Sequence, residues 1–134
     1  MRILLDTNVL ISASRSREGT PFLAFIQAIT APNRGVICEQ NLEELRRVYK
    51  RKFPHKLDQL ENFLALTLPE LELIPTPELV MNEESSIRDA ADRPILRAAL
   101  SAKVDILLTG DKDFLESGLT RPKILTPAEF LRQI

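Results

Sequence analysis

The chain has 134 residues, 44% hydrophobic and 28% charged, a composition typical of globular proteins, so we expect one folded domain over residues 1–134. Its single cysteine and single histidine exclude an internal disulfide and a zinc site of cysteines and histidines, so any bound metal needs oxygen ligands. The formal net charge of −1 lacks the positive excess of a protein that coats nucleic acid without sequence preference.

Short apolar runs alternate with longer stretches of helical periodicity, a pattern that predicts parallel strands connected by helices. The predicted strands are, in chain order, residues 2–5, 35–38, 71–74, 104–108 and 123–125. Each run is bounded by turn-forming or charged residues. The sequence therefore predicts an α/β fold with five strands.

The predicted helices are marked by caps and by apolar stripes. Thr20-Pro21 and Thr126-Pro127 are each typical of an N-cap followed by a proline, and Glu129 completes a capping box for the last helix. Further helical stretches are predicted at residues 42–53, 56–68 and 95–102. The segment 75–86, with two prolines and scattered acids, is predicted to be a long loop.

Acidic residues follow two of the predicted strands. Asp6 comes directly after the first strand and Asp111 shortly after the fourth, and carboxyl ends of parallel strands share one edge where ligands bind. Glu44 and Asp92 lie near the starts of helices that run away from the same edge. The carboxylates expected to meet at this edge are Asp6, Glu44, Asp92 and Asp111, with Asp89 and Asp113 nearby.

Such a cluster of carboxylates predicts a bound cation. The acids repel one another, and a buried unpaired charge is costly, so the pocket needs either a cation or raised pKa values. Mg²⁺ or Mn²⁺ suits a set of Asp and Glu ligands that lacks His and Cys. Such ions activate water and neutralise charge on a phosphoryl group, so the sequence indicates hydrolysis of phosphate esters.

Each acid also has a purely structural interpretation. Asp6 could be a turn residue, and Asp92 and Asp111 could simply cap the helices that follow them. Glu44 lies beside Glu43 at a similar angle to the apolar stripe, so periodicity does not choose between the two. The joint placement of four acids favours the functional interpretation.

Four segments resemble motifs of the PIN domain family and occur in the family's order. They are Asp6-Thr7-Asn8-Val9-Leu10-Ile11-Ser12-Ala13, Glu44-Leu45-Arg46-Arg47-Val48, Asp89-Ala90-Ala91-Asp92-Arg93-Pro94-Ile95-Leu96 and Thr109-Gly110-Asp111-Lys112-Asp113-Phe114-Leu115. The resemblance covers nearly the whole chain and extends to small bacterial PIN proteins of the VapC-like toxin type. It implies a three-layer α/β/α sandwich with a five-stranded parallel sheet of order 3-2-1-4-5. It also implies an endoribonuclease that hydrolyses RNA phosphodiester bonds with Mg²⁺ or Mn²⁺.

The resemblance also implies roles for individual residues. The catalytic, metal-binding acids of the family correspond to Asp6, Glu44, Asp92 and Asp111. Relatives place the last acid at the position of Asp111 or two residues later, so Asp113 is expected to assist as a metal ligand through water. The positions expected to support these ligands are Thr7, Asn8, Asp89 and Thr109. Cys38 is a departure, because many relatives carry Ser or Thr before the second helix.

Basic residues near the acidic edge are candidates for contact with RNA phosphates. They are Arg15, Arg46, Arg47 and Lys50, with Arg17, Arg51, Lys52 and Lys56 close by in sequence. A basic rim could hold a single-stranded backbone, although the chain has no Trp and one Tyr for stacking on bases. The alternative is an ordinary solvated helix face.

Partners and location follow from the same resemblance. A toxin of this kind would pair with an antitoxin that covers the acidic crevice, and relatives commonly form homodimers. No apolar run approaches the roughly 18 residues that span a bilayer, and the first residues do not form a signal peptide, so we expect no membrane contact and a cytoplasmic location.

Three other functions are compatible with this architecture. A receiver domain that accepts a phosphoryl group needs Asp after the middle strand and Lys-Pro after the last, whereas here Pro75 and Thr126 follow those strands. A catalytically idle PIN scaffold that binds RNA or protein would lack the full set of acids, and here all four positions are acidic. A nuclease for structured DNA would need accessory helices, for which 134 residues leave no room.

Overall fold

Five parallel strands form one sheet in the computed structural model, which describes residues 1–133. The strands are β1 (Arg2–Leu5), β2 (Arg34–Cys38), β3 (Leu71–Ile74), β4 (Ile106–Leu108) and β5 (Lys123–Leu125). Their order across the sheet is β3-β2-β1-β4-β5, which confirms the predicted α/β fold and strand order. The predicted domain over residues 1–134 includes residue 134, which lies outside the described range.

Helices cover both faces of the sheet and give three layers. They are α1 (Thr7–Arg15), α2 (Thr20–Ile29), α3 (Glu39–Lys52), α4 (Leu57–Thr67), α5 (Arg93–Ser101), α6 (Lys112–Leu115) and α7 (Pro127–Arg132). Short 3-10 turns lie at Pro54–Lys56, Leu68–Glu70, Asn82–Ser86 and Ala90–Asp92. The predicted helix over 56–68 therefore corresponds to α4 with parts of the turns that flank it.

The central strand β1 explains the three-layer packing. Its residues Ile3, Leu4 and Leu5 are fully buried, as expected for a strand that is covered on both faces. Ile3 and Leu5 pack in a core with residues of α1 to α4 and α7, whereas Leu4 packs in a second core with residues of α5 and α6. Since successive side chains of a strand point to opposite faces, one apolar run serves both cores.

The start of β4 differs from the predicted start at residue 104. Val104 donates its backbone N–H to the carbonyl of Ala99, and Lys103 donates to Leu100 with a φ of 55°. These two bonds form a Schellman motif that ends α5, so residues 103 and 104 belong to the helix cap. The strand itself begins at Ile106.

The predicted helix caps are partly confirmed. Thr126 accepts a hydrogen bond from the Glu129 backbone at 3.1 Å and receives the Glu129 carboxylate on its own N–H, which is the predicted capping box of α7. By contrast, Thr20 is the first residue of α2 and Gly19 is its N-cap, so the prediction of Thr20 as N-cap was wrong by one residue.

The predicted loop over residues 75–86 is anchored near its end. It contains the 3-10 turn Asn82–Ser86, so it is not wholly irregular. Glu84 in this turn is buried and forms two hydrogen bonds with Arg97 of α5, at 2.9 and 2.8 Å. Arg97 also donates to the carbonyl of Pro77 at 3.0 Å. This buried ion pair fixes the segment that leads to Asp89 and Asp92.

Candidate metal centre

Two acids lie at the carboxyl ends of neighbouring strands, as predicted. Asp6 follows β1 and is the N-cap of α1, where it accepts a hydrogen bond from the Thr7 backbone at 2.9 Å. Asp111 follows β4 and is the N-cap of α6, where it accepts from the Asp113 backbone at 2.9 Å. Since β1 and β4 are paired in the sheet, the two carboxylates are brought to one edge. The capping interpretation of Asp111 is therefore correct, and Asp6, which had the alternative of a turn residue, is a cap as well. Capping does not conflict with a second role.

Asp6 is fixed by the three polar residues that the motif predicted beside it. Its Oδ1 accepts the bond from Thr7, and its Oδ2 accepts from Asn8 at 2.9 Å and from the Thr109 hydroxyl at 2.6 Å. Asn8 also bonds the Gly110 backbone at 3.0 Å, so it ties the loop after β1 to the loop after β4. Asp6 is 2% exposed, and these bonds hold its carboxylate in one orientation.

Asn41 supports this network from α3 and was not identified from the sequence. It donates to the Thr7 hydroxyl at 3.1 Å, and its carbonyl oxygen accepts from the Cys38 backbone at 2.9 Å. Cys38 is the N-cap of α3, where many relatives carry Ser or Thr. A capping box is still present, and the Asn41 side chain is its acceptor. The spacing of three residues between N-cap and Asn41 was the available signal.

The structure also separates the two neighbouring glutamates of α3. Glu44 is half-buried and its charge acts on Asp6, whereas Glu43 is exposed. Periodicity had left the two equivalent. Glu44 is therefore the α3 acid that belongs to the crevice.

Asp92 lies in the crevice without a hydrogen-bond partner on one of its oxygens. It ends the 3-10 turn Ala90–Asp92 and is 7% exposed, and within residues 1–133 nothing donates to its Oδ2. It occupies the N-cap position of α5 but makes no capping bond, whereas Asp89 caps the 3-10 turn through the Ala91 backbone at 3.0 Å. The alternative that Asp92 serves only as a cap is therefore wrong.

The pKa values of the two buried acids reflect this crowding. Burial raises the pKa of Asp6 from 3.8 to about 6. Hydrogen bonds from Thr109 and Thr7 lower this pKa, whereas repulsion from Glu44 and Asp111 raises it further. Burial raises the pKa of Asp92 from 3.8 to about 8, helped by a hydrogen bond with Asp111 and by repulsion from Asp111, Asp6 and Asp89. Glu44 and Asp111 thus act on Asp6, and Asp111, Asp6 and Asp89 act on Asp92. Within residues 1–133 no three of the four predicted acids bring their oxygens within 4.8 Å of one another.

A closer group of acids lies at the outer part of the crevice. Asp89, Asp92 and Asp113 each offer a carboxylate oxygen within 4.8 Å of the other two. Arg88 donates to Asp113 at 3.0 Å and to Glu116 at 3.1 Å. The sequence analysis did not single out Arg88, although it directly precedes Asp89 in the chain.

The residues present fit a hard divalent cation. The donor set is made of carboxylate oxygens, and the unpartnered oxygen of Asp92 is buried among like charges. Such an oxygen is stabilised by a cation, which also removes the repulsion between its neighbours.

The predicted basic residues differ in their surroundings. The Arg15 guanidinium lies over the Phe53 ring at 3.5 Å, and Arg46 forms an ion pair with Glu61 at 3.2 Å. Arg47 and Lys50 are exposed on α3. All four remain candidates for RNA contact, and two of them already have a partner within the chain.

Comparison with known proteins gives a family and a fold. The PIN domain model matches residues 2–113. A solved structure, the crystal structure of VapBC2 from Rickettsia felis bound to a DNA fragment from their promoter, matches with a TM-score of 0.71 and 18% identity over 94% of this chain and 98% of that chain. No curated protein matches the chain. Across residues 1–133, every helix is too short or too polar to cross a membrane.

Proposed function

Because this chain belongs to the PIN domain family, we propose that it is a metal-dependent endoribonuclease that hydrolyses RNA phosphodiester bonds. The observation that carries the proposal is the buried Asp92 oxygen without a donor, set among other carboxylates at the carboxyl edge of the sheet. A purely structural acid at this position would have a hydrogen-bond partner, because an unsatisfied buried polar atom is destabilising.

In this proposal Asp6, Glu44, Asp92 and Asp111 hold Mg²⁺ or Mn²⁺, and Asp113 assists through water. When bound, such an ion supplies an acidified water and positive charge for the phosphoryl group. The bonds from Asn8 and Thr109 keep Asp6 oriented, so the carboxylate does not have to reorganise when it binds a ligand.

The scissile phosphate would enter beside Asp111. A cavity of about 520 Å³ opens there, and its lining includes Asn8, Ser12, Gly110 and Asp111. Gly110 precedes Asp111 and has no side chain, so a strand of RNA would have room to approach the backbone there. Arg15, Arg46, Arg47 and Lys50 would contact phosphates farther along the strand, which makes binding dependent on salt.

The matching VapBC2 structure suggests the biological role. That structure contains a VapBC pair with promoter DNA, and we propose that this chain likewise acts as the toxin of a toxin-antitoxin pair. The antitoxin would cover the acidic crevice, and the toxin would form homodimers in the cytoplasm. Co-expression with the protein encoded beside it should give a complex without RNA cleavage; a neighbour that neither binds nor inhibits would contradict this role.

The activity is tested by cleavage of single-stranded RNA with Mg²⁺ or Mn²⁺, comparing Glu44→Gln with Glu43→Gln. The two residues are adjacent in α3, but only Glu44 acts on Asp6 in the crevice. We expect Glu44→Gln to lower cleavage by at least about 100-fold and Glu43→Gln to retain it.

Asp6→Asn and Asp92→Asn extend the same assay, and both should lose cleavage. Equal cleavage by the wild type and all variants would contradict the proposed site. Tight RNA binding without cleavage in the wild type would instead identify a binding scaffold.

A further inference from the structure

One arginine lies at the outer part of the acidic crevice, and the proposed metal site does not account for it. Arg88 donates through Nε to Asp113 at 3.0 Å and through Nη2 to Glu116 at 3.1 Å. Asp113 in turn offers an oxygen within 4.8 Å of oxygens of Asp89 and Asp92. Within residues 1–133, Arg88 is the one arginine or lysine that forms an ion pair with an acid of this crevice.

The backbone on both sides of Arg88 is held in place. Ile87 is fully buried, its N–H donates to the carbonyl of Glu84 at 3.0 Å, and its own carbonyl accepts from Arg93 at 3.0 Å. On the other side, Asp89 is the N-cap of a 3-10 turn. The Arg88 side chain therefore extends from a fixed position, although it is itself 67% exposed.

The Arg88 guanidinium retains donors for a further partner. An arginine side chain has five N–H donors, and Asp113 and Glu116 engage Nε and Nη2 on one side of the group. Within residues 1–133, nothing accepts from its Nη1. The N–H groups of Nη1 and Nη2 at the end of the group form a planar fork that matches two oxygens of a phosphate. Arg88 can therefore bind a phosphate while the two carboxylates keep its guanidinium in place.

The sheet topology places Arg88 on a different side of the acids from the other candidate RNA contacts. Its partners lie on and directly after α6, which follows β4, whereas Arg46, Arg47 and Lys50 lie on α3, which follows β2. The strand between β2 and β4 is β1, which leads into Asp6. A single strand of RNA that crosses the acids from the α3 side would meet Arg88 beyond them.

We propose that Arg88 binds an RNA phosphate next to the scissile one, on the side of the acids away from α3. Asp113 and Glu116 hold the guanidinium ready for this contact, so less conformational entropy is lost when the RNA binds. The inference rests on the proposed function, because the RNA is the substrate of that nuclease. It adds a substrate contact that the motifs do not include.

The first test is the KM for cleavage of a short single-stranded RNA at several salt concentrations. Arg88→Gln should raise KM by about tenfold and change kcat by less than about threefold, because a phosphate away from the reacting bond contributes to binding alone. The slope of log KM against log salt concentration should fall by about 0.7, the value for one phosphate contact on a single strand. Arg88→Lys keeps the charge but loses the fork, so it should keep the slope and raise KM by about threefold.

Arg34→Gln is the matched control. Arg34 begins β2 at the opposite edge of the sheet, its side chain is also 67% exposed, and it likewise lies near a carboxylate, that of Glu72. This variant should keep the KM and the salt slope of the wild type. Unchanged KM and slope in Arg88→Gln as well would overturn the inference.

The second test locates the contact with RNAs in which one phosphate at a time is replaced by an uncharged methylphosphonate. Replacement of one phosphate next to the cleavage site should raise KM for the wild type but not for Arg88→Gln, because the contact is already absent. A KM that rises by the same factor for every RNA of the series in Arg88→Gln would show that Arg88 only joins α6 to the segment before Asp89. That result would overturn the inference and leave the nuclease in place.

Failure of the proposed function has a different signature. A wild type that cleaves no RNA would overturn the nuclease, and fluorescence anisotropy with the same labelled RNAs would then test the contact through binding alone. If Arg88→Gln does not fold, as judged by circular dichroism, Arg88→Lys replaces it in the methylphosphonate series and should show a reduced sensitivity at the same phosphate. Full wild-type sensitivity of Arg88→Lys would then overturn the inference.

Discussion

Charged side chains at the carboxyl edge of the sheet are crowded with like charges, whereas at the amino edge they are paired with opposite ones. At the carboxyl edge, Asp6 and Asp92 are buried among other acids, and Asp92 has an oxygen without a donor. At the amino edge, Arg2 pairs with Glu72 at 2.6 Å, and the Arg2 backbone donates to Asp105 at 2.8 Å.

The larger cavity, of about 850 Å³, lies at the amino edge, where it is lined by exposed charges of both signs that include Lys103, Asp105 and Lys123. Cavity size therefore does not locate the site. The carboxyl edge is distinguished by buried like charge, an arrangement that is common at functional sites.

The largest expected change in stability concerns the ion pair that anchors the segment before Asp89. Arg97→Met should lower the free energy of unfolding by about 3 kcal/mol, because it leaves the Glu84 carboxylate buried without its partner. At the amino edge, Arg2→Met breaks a pair whose side chains are about one-third exposed, and it should cost about 1 kcal/mol. Urea denaturation of both variants measures the difference. Equal losses would mean that the burial of an ion pair makes no difference to its contribution.

The next effect is a pH dependence that comes from the crevice. The pKa values of Asp6 and Asp92 are higher in the folded chain than in the unfolded chain, so folding favours their protonated forms. Their contribution to the free energy of unfolding is complete below about pH 4. It is lost as the pH rises through about 6 for Asp6 and about 8 for Asp92.

Asp92→Asn should therefore be more stable than the wild type at pH 9 without metal, by about 2 kcal/mol, and should lose this advantage at pH 4. Urea denaturation in the presence of a chelator at several pH values measures the effect. Glu116→Gln, which removes an exposed acid outside the cluster, should follow the wild-type curve. An Asp92→Asn variant that is less stable at pH 9 would show that the carboxylate is not under electrostatic strain.

The smallest expected effect is a metal-dependent shift of the melting temperature. Mg²⁺ or Mn²⁺ at about ten times its Kd should stabilise the protein by about 1.4 kcal/mol per ion, which corresponds to a few degrees. At one fixed ion concentration, the shift of the melting temperature should be larger at pH 8 than at pH 5, because protons compete with the ion for Asp6 and Asp92. Asp105→Asn, at the other edge, should keep the shift. A shift that is equal at both pH values would place the ion elsewhere.

The sheet and the position of its acidic edge could be predicted because both depend on local patterns. Short apolar runs specify the buried strands, and residues that follow parallel strands must share an edge. The capping box of Thr126 and Glu129 is likewise a relation between neighbours in sequence. The predicted start of β4 was wrong because Lys103 ends α5 in a left-handed conformation. Glycine usually occupies such a position, so the sequence contained no residue that indicated the helix cap.

The finer features of the site could not be predicted because they depend on pairing across the fold. Arg97 and Glu84 are surrounded by ordinary helix and loop sequence, and only the packed structure joins them. Likewise, the bond between Asn41 and Thr7 spans 34 positions. Periodicity alone did not separate Glu44 from Glu43, and only the family resemblance favoured Glu44. In the structure Glu44 is half-buried, whereas Glu43 is exposed.

The bonds that join Asp6, Asn8 and Thr109 link positions about one hundred residues apart in sequence. These bonds cannot form until β1 and β4 have paired in the sheet. A growing polypeptide on the ribosome therefore cannot assemble the acidic crevice until the segment that contains Thr109 has been translated. The order of synthesis itself would keep the crevice from forming in an incomplete chain.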